Sequence, residues 1–259
     1  MDDYTVIGDP HAKPNNLNIL EELFDKVEAL GNRTIWLGDL LDTKEVIRGK
    51  CLNAWFNYLK NSPLQHTILV GNHDWFNLEC REHSLEVLKT LPNVNIVDSP
   101  QHTPGALGFL PYIHEEKELK KQIKLMQKDS VKIIFGHLEL KGFDFGNGYI
   151  CEEGLTERSF KDFQLIISGH FHKHQKKKNV VYLGTPFSHS FGESNQDKYI
   201  GILKSKEELT LELVPTNLPR HITYTVDVLE ELPTNLKFGS RNFYRIILTG
   251  PRDLSLIHI

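Results

Sequence analysis

The sequence predicts an α/β protein, a sheet covered by helices. Short apolar runs alternate with longer stretches of helical periodicity, and several of those runs end in glycine followed by polar residues. The chain has 259 residues and is 39% hydrophobic, enough for a sizeable core in one large domain or two small ones.

Tyr4 to Ile7 reads as the first strand and runs into Gly8-Asp9-Pro10-His11. Asn15 or Asn16 is placed to cap a helix. Its residues Leu17, Leu20, Phe24, Val27 and Leu30 recur at helical spacing, so one face lies on the sheet. Gly31-Asn32 stops that helix. Thr34 to Leu37 is the second strand and ends at Gly38-Asp39-Leu40-Leu41-Asp42. A second helix is expected over Glu45 to Lys60, with Val46, Leu52, Trp55, Phe56 and Leu59 as its apolar stripe and Ser62-Pro63 as its end. His66 to Val70 is the third strand and delivers Gly71-Asn72-His73-Asp74. Glu82 to Leu91 is expected to be helical, and Val94 to Val97 extended.

The second half is less regular. Glu115 to Lys128 reads as a charged helix with Leu119, Ile123 and Met126 on one face. Val131 to Phe135 is a buried strand before Gly136-His137, and Leu165 to Ser168 another before Gly169-His170-Phe171-His172. A short helix is expected at Thr156 to Phe160, and a strand at Val180 to Leu183. Tyr199 to Leu203 and Leu209 to Val214 form a closing hairpin. Beyond Val214, Pro215, Pro219 and Pro233 break the pattern, and Asn242 to Leu248 is one more strand.

The net charge of −4 gives no global basic field, so a nucleic acid would have to be held by a local patch or by metal ions. Cys51, Cys80 and Cys151 are far apart and in no CxxC pattern, so disulfides are not expected and a reducing cytoplasm fits. The acidic start, Met1-Asp2-Asp3-Tyr4, is expected to carry no signal peptide. The apolar runs fall short of the ~20 residues of a membrane span, so no membrane partner is expected.

Five polar blocks stand out: Asp9-x-His11, Gly38-Asp39-x-x-Asp42, Gly71-Asn72-His73-Asp74, Gly136-His137 and Gly169-His170-x-His172. Taken singly, a strand-end histidine is a structural residue and Gly71-Asn72-His73-Asp74 is a turn. Together, each after an apolar strand, they read as one site at the strand ends, where open α/β sheets gather their ligands. Carboxylate, imidazole and amide oxygen without thiolate suit Mn, Fe or Zn better than a cysteine-rich structural zinc site. A bridging carboxylate holds two ions about 3.5–4 Å apart, clamping the attacking and leaving oxygens of an in-line displacement. Two dications offset only in part by Asp9 and Asp39 attract a phosphate anion.

These blocks resemble the calcineurin-like metallophosphoesterases from Thr5 to about Ile202. The resemblance implies a four-layer fold, two packed β-sheets flanked by helices, and two divalent metal ions, Mn²⁺ first with Fe²⁺, Zn²⁺ and Mg²⁺ as alternatives. It implies that Asp9, His11, Asp39 and His172 hold the first metal, and that Asp39, Asn72, His137 and His170 hold the second, with Asp39 bridging. His73 would protonate the leaving oxygen or stabilise the transition state, oriented by Asp74. Asp42 would hold a ligand histidine by its other nitrogen. Phe109-Leu110-Pro111-Tyr112 and Tyr182-Leu183-Gly184-Thr185-Pro186-Phe187 resemble the nuclease branch, the Mre11/SbcD-type DNA repair exonucleases and their short phage relatives. Asp42 stands where some members of that branch have histidine. Asn242 to Gly250 is similar to the first strand of the branch's DNA-capping domain.

The expected organisation is therefore a nuclease domain over 1–215 and the start of a truncated capping segment over 216–259. The tail that binds a Rad50/SbcC-like ATPase is expected to be absent, while homologous nucleases work as dimers. Lys173, Lys176 and Lys177, with Lys178, form either a solvated turn or a phosphate-backbone contact. His174 and His189 read as structural or surface residues, Trp36 as core, and Trp75 and Phe76 as groove lining or core. The leading expectation is a metal-dependent DNA exonuclease or endonuclease of repair or recombination, in the cytoplasm (the host's, if phage-encoded). The alternative is a general phosphoesterase acting on small phosphodiesters, nucleotides or phosphoproteins. A catalytically dead scaffold is disfavoured because every ligand position is filled.

Overall fold

The computed structural model describes residues 3–77, 79, 82–204, 209–227 and 241–249. Cys80, and the parts of the C-terminal segment at 228–240 and 250–259, lie outside them. The elements run β1 (Tyr4–Ile7), α1 (Leu17–Leu30), β2 (Arg33–Trp36), α2 (Gly49–Asn61), β3 (His66–Leu69), β4 (Val94–Val97), β5 (Gln101–His102) and β6 (Leu107–Leu110). They continue with α3 (Glu116–Lys128), β7 (Ile133–His137), β8 (Leu165–Gly169), β9 (Gln175–Lys177), β10 (Val180–Tyr182), β11 (Tyr199–Lys204), β12 (Thr210–Pro215), β13 (His221–Val226) and β14 (Phe243–Leu248).

Two six-stranded sheets, ordered β12-β11-β1-β2-β3-β4 and β5-β6-β7-β8-β10-β9, pack face to face. Strand alternation sorts the side chains. Val6, Ile35 and Leu69 join Ile133, Phe135 and Ile167 between the sheets. On the outer face of the first sheet, Ile7, Trp36 and Ile68 meet Leu20, Leu23 and Val27 of α1 and Trp55 and Leu59 of α2. Leu119, Ile123 and Met126 of α3 cover the second sheet on Ile134 and Ile166. The expected four layers are therefore present. In each sheet the central strands are parallel, so their carboxyl ends share one edge.

Three local expectations are corrected. Asn16 sits at the start of α1, but its side chain does not cap the helix. It accepts from the Lys13 amide at 2.8 Å and donates to the His11 carbonyl at 3.0 Å, bracing the loop that carries His11. The second helix begins at Gly49, not Glu45, and Val46 is 62% exposed. Residues 42–48 are used instead on a loop, where the Asp42 carboxylate meets Lys13 at 3.0 Å and Thr43 bonds the Val46 carbonyl. Over Glu82 to Leu91 only Glu86–Thr90 is helical, as a short 3₁₀ turn. The preceding residues pair with the Asp74 to Phe76 backbone, through Ser84 N to the Asp74 carbonyl and Phe76 N to the Glu82 carbonyl.

The C-terminal segment contains a strand that sequence reasoning did not find, β13, paired in parallel with β14. Among the described residues no helix is long and apolar enough to cross a membrane. Cys51 and Cys151 are free thiols.

His66 is buried at the far end of β3, its Nδ1 2.6 Å from Thr34 Oγ1. Burial pushes its pKa down to about 4 from the ordinary 6.5. Between those values the unfolded chain binds the extra proton. This contribution to stability is therefore complete above pH 6.5 and is lost as pH falls through about 4. The full effect is on the order of 3 kcal/mol. Denaturant titrations at pH 7 and 4.5 are expected to show a smaller acid loss for His66→Gln than for the native chain.

Candidate metal centre

The site is assembled at the carboxyl ends of β1, β2, β3, β7 and β8, and so draws on both sheets. His11, Asp39 and His170 adopt positive φ (41°, 50° and 87°), a conformation that L residues hold only where the surroundings enforce it. Gly71 is required by close approach: a Cβ there would stand 2.2 Å from Asp39 Oδ1 and 2.4 Å from the Asp39 amide. Gly71→Ala is expected to push Asp39 out of place and weaken metal binding by about ten-fold or more, read by a metal titration.

The hydrogen bonds fix which histidine nitrogens face inward. A carbonyl only accepts, so His137 Nδ1, 2.8 Å from the Leu37 carbonyl, carries a hydrogen and Nε2 is the nitrogen that faces the site. Glu139 lies 3.3 Å from His170 Nε2, which leaves His170 Nδ1 bare. His137 Nε2 and His170 Nδ1 are 3.3 Å apart and stand 2.9 and 2.8 Å from Asn72 Oδ1. Three acceptors thus face one point. Bonds of about 2.1 Å to a common cation would give edges of about 2.8–3.4 Å at angles of about 84–110°, which covers the spacing seen here. The donor set and its spacing fit a divalent metal.

A second set lies beside it. His172 Nδ1 donates to Glu193 Oε1 at 2.8 Å, which turns His172 Nε2 towards His11 Nε2 at 3.0 Å. Asp39 Oδ2 is 3.5 Å from His11 Nε2 and 3.5 Å from His137 Nε2, equidistant from the two sets. The other oxygen, Oδ1, accepts from the His73 amide at 2.8 Å. Burial alone would raise the Asp39 pKa, but His137 and the other imidazoles beside it overcome that and hold it well below the carboxylate range.

Asp9 is fully buried. Its oxygens accept from the His170 amide at 3.0 and 3.1 Å, and Oδ1 is 3.4 Å from His137 Nδ1. The Asp42 carboxylate lies 3.8 Å from His11 Nδ1, on the side away from the inward-facing nitrogen.

One expected contact is corrected. Asp74 does not reach the His73 ring. It is buried and accepts from the Gly71 amide at 3.0 Å and the Leu41 amide at 3.2 Å, tying the second and third blocks together. Burial, then the charge of Asp39, pushes its pKa up to about 7. The His73 ring is held instead by the Asp42 carbonyl, which accepts from Nδ1 at 2.7 Å. Nε2 is thereby left for the site, and the ring stands edge-on to His11 with centroids 4.8 Å apart.

Three of the four lysines after the last block are engaged with the protein. Lys173 meets Asp144 at 2.9 Å and Lys178 meets Glu157 at 3.1 Å, while Lys177 lies over the Phe143 ring and bonds the Gly142 carbonyl. Lys176 is exposed on edge strand β9. Trp36 and Trp75 belong to the core. His174 is half-buried on the Tyr182 carbonyl. His189, read from sequence as structural or surface, packs against the rings of His11 and His172 and reaches the Asp9 carbonyl at 3.3 Å.

Another cluster, His83, Glu86 and Asp98, is no metal site. Lys89 already bridges its carboxylates at 2.8 and 2.7 Å, and the Leu85 amide donates to His83 Nδ1, which places the ring hydrogen on Nε2.

The sequence profile of calcineurin-like phosphoesterases matches residues 4–174, a span that holds every one of the five blocks. The chain belongs to that family. It is accordingly a metal-dependent phosphoesterase. It is 28% identical to the phosphoesterase-named protein 078R of Invertebrate iridescent virus 3, over 95% of this chain and 76% of that one. The similarly named 244L of Invertebrate iridescent virus 6 is 30% identical over 78% of this chain and 76% of its own length. Exonuclease subunit 1 of Enterobacteria phage T4 is 30% identical over 73% of this chain and 58% of its own length. One solved structure covers 82% of this phosphoesterase at a TM-score of 0.53 and 13% identity, which shows a shared fold.

Glu139, Glu193 and the carbonyls of Leu37 and Asp42 are the partners that sequence reasoning missed in this phosphoesterase. The carbonyls carry no side-chain signal. The two glutamates lie among many others and are selected only by the fold.

Proposed function

We propose that this phosphoesterase is a two-metal phosphodiester hydrolase acting on DNA ends in repair or recombination, with Mn²⁺ as its working ion. The observation that carries the metal count is Asp39 Oδ2 standing equidistant from two inward-facing ligand sets. His11 and His172 would hold the first ion, and Asn72, His137 and His170 the second. Asp39 is shared between them, and Asp9 supplies the other buried carboxylate. Two such ions would polarise a phosphoryl oxygen and lower the pKa of an attacking water. The chain itself supplies orientation and a proton. The Asp42 carbonyl holds His73 Nδ1, so Nε2 is presented beside His11 to donate to the departing oxygen.

Similarity to the phage exonuclease subunit supports DNA as the substrate. In this reading β13 and β14 begin a DNA-capping unit, residues 1–215 form the nuclease, and a second copy is its partner in the cytoplasm. Lys173, Lys176 and Lys177 border the substrate path, with Lys176 the most available to a phosphate.

A cleft of about 270 Å³ beside His137, lined by Tyr112, His114, Glu139 and Leu155, favours a second reading, hydrolysis of a small phosphodiester. Offering end-labelled linear duplex DNA and bis-p-nitrophenyl phosphate side by side with Mn²⁺ separates the two. The DNA reading predicts progressive loss of the labelled strand. Intact DNA with rapid turnover of the small ester would replace it with the second reading.

A further inference from the structure

Glu193 and Lys198 lie beyond the family-matched span, yet both converge on His172. Their side chains are only 8% and 1% exposed. Glu193 closes the short 3₁₀ turn Phe191–Glu193, and Lys198 immediately precedes β11. One carboxylate oxygen, Oε1, accepts from His172 Nδ1 at 2.8 Å. The other, Oε2, accepts from Lys198 Nζ at 2.7 Å and from the Thr185 hydroxyl at 2.9 Å. Lys198 Nζ also donates to Thr185 Oγ1 at 2.7 Å and to the His172 carbonyl at 3.2 Å. Thr185 N donates to that same carbonyl at 3.1 Å. His172 is thus held at its ring and at its backbone by one strap, residues 185–198.

The opposite side of the strap bonds the C-terminal sheet. Ser188 Oγ accepts from the His221 amide at 2.8 Å, and Asn195 donates to the Thr223 carbonyl at 2.9 Å.

We propose that Glu193 and Lys198 are positioning residues for the first metal: Glu193 fixes the His172 tautomer that turns Nε2 to His11, and Lys198 holds Glu193 on that ring. A bare carboxylate would satisfy His172 Nδ1 equally well at the surface. Burying it demands a cation, and Lys198 is the buried cation that meets it. The inference rests on the two-metal reading.

The test is a two-step Mn²⁺ binding isotherm on the full chain, with thermal unfolding of the metal-free protein beside it. The variants are Glu193→Leu, Lys198→Met and the double variant. Both single variants leave one charge buried and unpaired, and both are expected to lower the apo melting temperature. Glu193→Leu removes the acceptor of His172 Nδ1 and is also expected to weaken one Mn²⁺ step about 10- to 100-fold while leaving the other in place. The double variant removes both charges. It is expected to regain apo stability but not the lost Mn²⁺ affinity. Recovery of both would reduce the pair to a structural ion pair and overturn the proposal, as would unchanged Mn²⁺ affinity in Glu193→Leu. A native chain that binds no Mn²⁺ would instead refute the two-metal reading.

Discussion

On the two-metal reading, Asp39→Asn is expected to empty both metal positions at once. The substitution keeps an oxygen for the His73 amide, so the third block stays in place. It removes the negative charge shared by the two inward-facing sets. Neither set can then hold its dication with Asp9 as the remaining carboxylate. The expected result is loss of both equivalents of Mn²⁺ and a fall of more than about 1000-fold in kcat/KM, above ~4 kcal/mol of transition-state stabilisation. Metal analysis of the dialysed variant beside hydrolysis of bis-p-nitrophenyl phosphate checks it. Retention of one full equivalent would show that Asp39 serves a single ion.

His73→Ala gives the opposite pattern. The ring is anchored by the Asp42 carbonyl, and its free nitrogen is left beside His11 and Asp39, away from the Asn72, His137 and His170 triad. Both ions are expected to remain, while turnover falls about 10²- to 10⁴-fold, the range of a lost general acid. The loss is expected to be smaller for esters with good leaving groups, because they need less protonation. An equal loss across leaving groups would assign His73 to binding instead, and loss of an ion would make it a ligand.

The contrast between these variants also marks what was legible in the chain. The five polar blocks could be found because each follows an apolar strand, and strand ends in such a sheet meet at one edge; the resemblance to the metallophosphoesterases then selected Asp9, His11, Asp39, Asn72, His137, His170 and His172 from them as ligands. The fold brings all seven together. The resemblance implied that Asp74 orients His73, and the turn geometry overturns that. A tight turn sends successive side chains apart, and Asp74 turns back onto the Gly71 and Leu41 amides. The group that does hold His73 is a carbonyl 31 residues away, which no side-chain pattern reveals.

The same reason hid Glu193 and Lys198. A glutamate and a lysine five residues apart are unremarkable in sequence. Only the return of β11 to lie beside β1 buries them behind His172. The start of α2 was placed early because Val46 fits a helical stripe. The loop over 42–48 is instead held open by Asp42, whose two polar ends serve His73 and Lys13. Periodicity registers apolar spacing and is blind to such obligations.

Every role proposed above depends on a pair of cations sharing Asp39. Titration of the metal-free chain with Mn²⁺, followed by electron paramagnetic resonance, checks for that pair. Saturation is expected at two equivalents per chain, with a spin-coupled signal from ions about 3.5–4 Å apart. Saturation at one equivalent, or two equivalents with uncoupled signals, would contradict it.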